Sequence, residues 1–182
     1  MLLLVIYQLI DDPIALGALV ISVISLLFTF FALKYQREHN FKSVKPIGLI
    51  SPGDYEDDIF IRIDNNGIGP LIIKKIEVKR KTETANSLID IIPEDLNNRI
   101  VWATYLKNIE DMAIIGGDSL TLLEFIPNYN DTEIKFETWE NLKTELRQVL
   151  KDVSLFVEYT DIYEKKRYSV SKSFEFYGRH YE

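Results

Sequence analysis

Apolar and polar positions divide the chain into two regimes. Residues 13–33 read PIALGALVISVISLLFTFFAL, without a charge. About 20 apolar residues are what a helix needs to cross the roughly 30 Å hydrocarbon core of a bilayer. A single segment in lipid must satisfy its backbone internally, so helix is its only choice. Pro13 suits the first helical position and Asp12 the N-cap. Beyond Pro46 the apolar positions recur every second residue. Ile59, Ile61 and Ile63 alternate with Phe60, Arg62 and Asp64, which predicts a strand. Residues 71–78 form a β-branched run, 119–125 read as a strand, and 153–159 alternate Val, Leu, Val and Tyr on one face. Tyr168, Val170, Lys172, Phe174 and Phe176 continue the period, with 163–167 as the connecting turn and Lys165, Lys166 and Arg167 as exposed tip charges.

Between two of these strands lies Asn65-Asn66-Gly67-Ile68-Gly69-Pro70, a dense turn signal. It makes either a hairpin or a sharp strand-to-strand corner. Asn66, Gly67, Gly69 and Pro70 are the structural turn residues, the glycines supplying positive φ or close backbone approach. One helix interrupts the strands. Phe136, Trp139, Leu142, Leu146, Val149 and Leu150 recur at helical spacing. Thr138 can cap the helix, Glu140 sits in its first turn and Lys151 in its last, so 139–151 is predicted helical. Residues 94–109 fit a helix through Leu96, Ile100 and Ala103, or a strand through Ile100, Trp102 and Thr104; the helix is preferred. The expected fold class is mainly β with one or two helices, a transmembrane helix followed by a sandwich or barrel of short strands.

The flanks of the apolar run set an orientation. Lys34, Arg37, Lys42 and Lys45 follow it, and only Asp11 and Asp12 charge the residues before it. Positive flanks stay on the cytoplasmic side. The expected layout is a short apolar N-terminus (1–12) outside, a single span (13–33), a basic juxtamembrane linker (34–46) and a cytoplasmic domain (47–182) at the inner membrane. Lys34, Tyr35, Arg37, Lys42 and Lys45 are the interface anchors. A cleaved signal peptide would want a basic start and a shorter apolar core, and MLLLVIYQLI has no Lys or Arg. Residues 1–10 are too short to span; they either lie in the interface or extend the helix past Pro13.

Within the span the small residues Ala15, Ala18, Ser22, Ser25, Thr29 and Ala32 alternate three- and four-residue spacings, a heptad seam. In lipid, helices associate where small residues let backbones approach. This stripe is the expected helix–helix interface of a homo-oligomer. The same seam would place Ser22, Ser25 and Thr29 around the axis of an oligomer, dry and closed at rest.

Composition narrows the chemistry. Hydrophobic residues make up 47% of the chain, with only 8 Gly and 6 Pro, which excludes collagen-like and long disordered classes. The absence of cysteine removes disulfides, thiol nucleophiles and thiolate metal sites. A net charge of -7 offers no footprint for duplex nucleic acid. The basic run Lys74, Lys75, Lys79, Arg80 and Lys81 reads as a solvated strand face and its turn. The acidic group Asp54, Glu56, Asp57 and Asp58 reads as a solvated loop, with Ca²⁺ ligation the lesser alternative. Of the two histidines, His39 belongs to the juxtamembrane run and His180 is third from the end, so a Ser-His-Asp arrangement lacks its base. Tyr159, Tyr163, Tyr168 and Tyr177 cluster in the last strands, with a stacking platform the lesser alternative to core packing.

The run His39-Asn40-Phe41-Lys42-Ser43-Val44-Lys45-Pro46, the motif Asn66-Gly67-Ile68-Gly69-Pro70 before Leu71-Ile72-Ile73, and Tyr159-Thr160-Asp161-Ile162-Tyr163 carry a resemblance. The chain resembles uncharacterised bacterial single-pass membrane proteins with an N-terminal helix and a small immunoglobulin-like β-sandwich. That resemblance implies a fold and an anchor, and no established activity; the helix at 139–151 departs from a plain seven-stranded sandwich. The expected function is a membrane-tethered cytoplasmic binding module without catalytic activity, with no catalytic residue, cofactor or metal. Its partners would be the bilayer, further copies of itself and an unknown protein or small-molecule ligand. The alternative is a ligand-gated oligomeric effector that perturbs the bilayer, with a nucleotide as one candidate ligand, as in bacterial immunity, an analogy of layout alone. A membrane-bound hydrolase is the weakest reading.

Overall fold

The computed structural model describes residues 13–126 and 136–180. The chain divides into two compact units, Met1–Ser43 and Val44–Glu182. The reading of residues 1–12 lies outside the described residues, as do the side chains of Phe136 and His180.

In the first unit, α1 (Pro13–Ser43) is one helix that carries the apolar run on through the basic stretch. None of its residues is buried. It is long and apolar enough to cross a membrane. Two hydroxyls bond back along the helix: Ser22 Oγ donates to Ala18 O and Thr29 Oγ1 to Ser25 O, both at 2.8 Å. Such i−4 bonds satisfy a polar side chain without a neighbouring helix. Glu38 and Lys42 pair across one turn at 2.9 Å.

The second unit has nine strands among the described residues, in two antiparallel sheets. One sheet runs in the order β1 (Gly48–Tyr55), β2 (Asp58–Asn65), β7 (Ser119–Phe125), β5 (Thr104–Tyr105). The other runs β4 (Glu83–Ala85), β3 (Leu71–Arg80), β8 (Val153–Thr160), β9 (Arg167–Ser173), with β6 (Ala113–Ile114) also paired to β3. β2 and β3 therefore lie in different sheets, and the Asn65–Pro70 segment is a corner rather than a hairpin. The hairpin lies earlier: β1 pairs with β2 from Gly48↔Asn65 to Tyr55↔Asp58.

The alternation on β2 is realised in full, with Ile59, Ile61 and Ile63 buried. β3 breaks its own phase, burying Leu71 and Ile73, then Ile76 and Val78. A bulge at Lys74, between the Ile73↔Tyr159 and Lys75↔Glu158 pairs, supplies the extra residue. The matching irregularity in β7 falls at Leu122 and lets the consecutive Leu122 and Leu123 both face the core.

One apolar core takes residues from both sheets and from α3 (Phe136–Leu150). On α3, Trp139, Leu142, Leu146, Val149 and Leu150 are buried as their spacing predicts. Trp139 packs against Phe125 with ring centroids 4.0 Å apart. Two sequence expectations need correction. Residues 94–109 are neither one helix nor one strand: a single turn, α2 (Glu94–Asn97), precedes the two-residue β5. Phe176 does not continue β9; it sits in a 3-10 segment (Glu175–His180).

Candidate functional site

Two buried polar knots organise the two ends of β1. At the Val44 end the centre is Asn65, whose side chain is fully enclosed. Its Oδ1 accepts from the backbone N–H of Ile47 (3.2 Å) and Gly67 (3.0 Å). Its Nδ2 donates to the carbonyls of Gly69 (2.8 Å) and Ile114 (2.9 Å). The Asn65 backbone donates to Asp118 and accepts from Gly117. The side-chain amide thus ties the segment entering β1, the corner and β6, using its full hydrogen-bonding capacity, and the Asn65 backbone adds the loop before β7.

The predicted turn residues belong to this knot. Gly67 and Gly69 are not in the left-handed region, which among the described glycines is reserved for Gly117. They are glycine because the backbones touch: a Cβ on Gly67 would come 2.6 Å from Ile47 N, and one on Gly69 would run into the Val44 carbonyl. Gly116 abuts the Ile68 carbonyl in the same way. Asn66 donates its backbone N–H to Ile47 O at 2.8 Å. Beside the knot, Tyr159 Oη accepts from Gly48 N at 3.0 Å, and its ring stacks on Tyr168. Lys45 lies over the Tyr168 ring, 5.5 Å from its centroid. The rigid corner holds Ile68 and Ile115 outward, 83% and 63% exposed.

At the hairpin end the centre is a charge. The Asp54 side chain, 0% exposed, takes two bonds from Arg147 Nε (3.0 and 3.1 Å) and one from Nη2 (2.7 Å), and pairs with Arg179 at 3.2 Å. Lys143, on the same face of α3 one turn earlier, donates to the carbonyls of Tyr55 (2.5 Å) and Glu56 (2.6 Å). Burial pushes its ammonium pKa down, and the neighbouring Arg147 adds to that. Tyr177, buried, reaches Phe60 O (2.9 Å) and Gly53 O (3.2 Å), and burial raises its phenol above the ordinary range. Asp58 is half-buried with Oδ1 unpaired among the described residues. Burial, then the nearby Glu124 carboxylate, raise Asp58 to about 6.

The acidic group is therefore not one solvated loop. Asp54 is an ion-paired strand residue, Asp58 opens β2, and only Glu56 and Asp57 form the exposed turn. No group of three or more metal-ligating side chains converges among the described residues. The tyrosines do not form one platform either: Tyr159 and Tyr168 pair near Gly48, while Tyr177 packs on Phe174 and Phe176. The basic run is drawn into ion pairs. Lys74 bonds Asp111 (2.8 Å) and Glu164 (3.0 Å), and Lys81 meets Asp152.

The helix residues singled out from sequence keep their places. Ala15, Ala18, Ser22, Ser25, Thr29 and Ala32 lie within roughly 100° of arc at 100° per residue. All are on α1, as are the exposed Lys34, Tyr35, Arg37 and Lys42. Asn65 and Asp54 are what sequence reading missed as centres. The available signal was that both sit in runs rich in turn residues beside a strand that alternates cleanly. No family model matches the chain, and no curated protein matches its sequence.

Proposed function

We propose that the protein is a membrane-tethered interaction module. The observation that carries this reading is α1: an apolar helix with no buried residue, in a chain whose other unit gathers most of its apolar side chains into a core. Exposed to water, that surface would be an aggregation site; placed in lipid, it is solvated. The basic residues after the span support a cytoplasmic Val44–Glu182 with the N-terminus outside, since positive flanks stay on the cytoplasmic side. The domain acts as an immunoglobulin-like sandwich that recruits a protein or peptide and performs no catalysis. The outer edge of β9, the last strand of its sheet, suits strand addition by an extended segment. Copies associate through the Ala15, Ala18, Ser22, Ser25, Thr29, Ala32 seam, where close backbone approach supplies the contact.

Fractionation of cells expressing the full chain tests the anchor: the protein is expected in membranes and released by detergent. Full-length protein in a detergent-free supernatant would reject it, and digestion of its C-terminal portion by protease outside intact spheroplasts would reject the orientation. Replacing Ala18, Ser22 and Ser25 together by Leu is expected to abolish association in a membrane two-hybrid assay. Undiminished association would remove the seam.

A further inference from the structure

Among the described residues β9 is the sheet edge with a long run of backbone to pair. β4, β5 and β6 have three, two and two residues, and β1 carries Pro52, which has no N–H to give. Register assigns the open groups on β9. The Phe174 N–H donates to Val153 O at 2.9 Å, so the even-numbered residues of β9 turn their backbone groups to β8. Ser169, Ser171 and Ser173 turn theirs the other way, off the edge of the sheet. Their side chains are small and exposed, so nothing bulky blocks a strand alongside.

The side chains on the core side of this edge select what can pair. Tyr168, Val170 and Lys172 lie opposite the buried Tyr159, Val157 and Leu155 and share their face. Tyr168 and Val170 are half-buried, and Lys172 is exposed at the rim with no ion-pair partner among the described residues. Lys45 approaches the same face, its ammonium 5.5 Å from the Tyr168 ring centroid. Two cations thus flank one aliphatic side chain. Carboxylates in the neighbourhood are engaged elsewhere. Glu158 pairs with Arg167 on the opposite face at 2.6 Å, Glu175 accepts from Ser173 Oγ at 3.1 Å, and Asp161 is buried with Oδ1 on the Tyr163 N–H. A lysine turned to the core side of an edge strand rejects an apolar strand, which would have to bury its charge. An acidic residue directly opposite converts that penalty into a cross-strand ion pair.

On the reading that β9 adds a strand, we propose that the segment it takes, from another protein, carries two acidic residues four positions apart with an apolar residue midway between them. The acids meet Lys172 and Lys45, the apolar side chain covers Val170, and the backbone between them pairs with Ser169 and Ser171.

The test uses the full chain in phosphatidylcholine nanodiscs, one copy per disc, and labelled peptides read by fluorescence anisotropy. The probes are TETVTET, its neutral form TQTVTQT, its cationic form TKTVTKT, and TETVTET N-methylated at the two threonines beside valine. TETVTET is expected to bind about fivefold more tightly than TQTVTQT, the effect of two cross-strand charge pairs, with TKTVTKT weakest. N-methylation removes the donors of the added strand and abolishes binding. The double variant Lys45→Glu with Lys172→Glu inverts the order of the two charged peptides, and a folding defect cannot produce that gain for TKTVTKT. TQTVTQT binding as tightly as TETVTET, or an order unchanged in the double variant, overturns the proposal; strand addition itself still stands if N-methylation abolishes binding. An N-methylated peptide that binds undiminished, or no binding of any peptide at millimolar concentration, overturns strand addition as well. Binding in single-copy discs that is lost in discs loaded with several copies makes a second copy the occupant and overturns the choice of another protein.

Discussion

The two ends of β1 solve the same problem with opposite chemistry. At each, irregular backbone with glycine at its tightest approach has to be pinned against a sheet. At the Val44 end the pin is neutral: Asn65 makes four side-chain bonds to four backbone groups in three segments. At the hairpin end the pin is ionic: Asp54 is held by Arg147 from α3 and Arg179 from the C-terminal 3-10 segment, with Lys143 capping the hairpin carbonyls. An amide fits only where every partner is already in place, and in return it carries no desolvated charge. An enclosed carboxylate tolerates looser geometry, yet it depends on its cations, because a buried charge left alone is costly. The neutral knot therefore fixes position, and the ionic one fastens separate elements, helix and C-terminus, to the hairpin.

The sharpest way to break this contrast is at Asn65. Asn65→Ala strips partners from two N–H and two carbonyl groups and is expected to cost about 4 kcal/mol, from about 1 kcal/mol per buried group left unpaired. Denaturant unfolding of the full chain in detergent measures it, and a loss below about 1 kcal/mol would mean that water replaces the amide freely. Asp54→Ala comes next, at about 3 kcal/mol. Here the ionic character shows in a double variant: Asp54→Ala with Arg147→Met should be more stable than Asp54→Ala alone, since the second change removes an unpaired guanidinium. If the two losses simply add, the carboxylate is acting as a plain hydrogen-bond acceptor and the contrast fails.

The smallest effect is at Asp58 and depends on pH. Its folded value of about 6 lies above the ordinary 3.8. The folded state therefore takes up a proton as pH falls through 6, and stability rises from pH 7 towards 5. The full gain is reached only below the unfolded value. Because Asp58 is half exposed, solvent screening limits the effect to about 1 kcal/mol. Asp58→Asn should be more stable than wild type at pH 7 by that amount and show no rise on acidification to pH 5. A wild-type stability that is flat over that range would remove the carboxylate from the hairpin's energetics.

Legibility from the sequence varied by element and for definable reasons. β2, β8 and α3 were readable because their buried positions keep a single period over most of their length. β1 was not: Pro52 and Gly53 look like a turn, but Pro52 lies on an edge strand, where a missing N–H is tolerated, and Gly53 makes room for the Phe60 ring. The phase break in β3 was legible only as a run of branched residues, since a bulge is defined by the partner strand. Of the adjacent Asn65 and Asn66, the exposed Asn66 read as the turn residue, although Asn65 continues the buried phase of Ile59, Ile61 and Ile63; what only the structure adds is the set of partners that its amide meets.

By itself the sequence determined that residues 13–33 form an apolar helix with a basic stretch behind it and that much of the rest falls into strands around one helix, because periodicity and local charge are properties of short segments. Only the tertiary structure decided that Asn65–Pro70 turns a corner between sheets, that Asp54 meets Arg147 and Arg179, and that Lys45 and Lys172 flank Val170 at one strand edge. Those are meetings of residues far apart along the chain. Their partners are chosen by strand register and by the packing of one shared core.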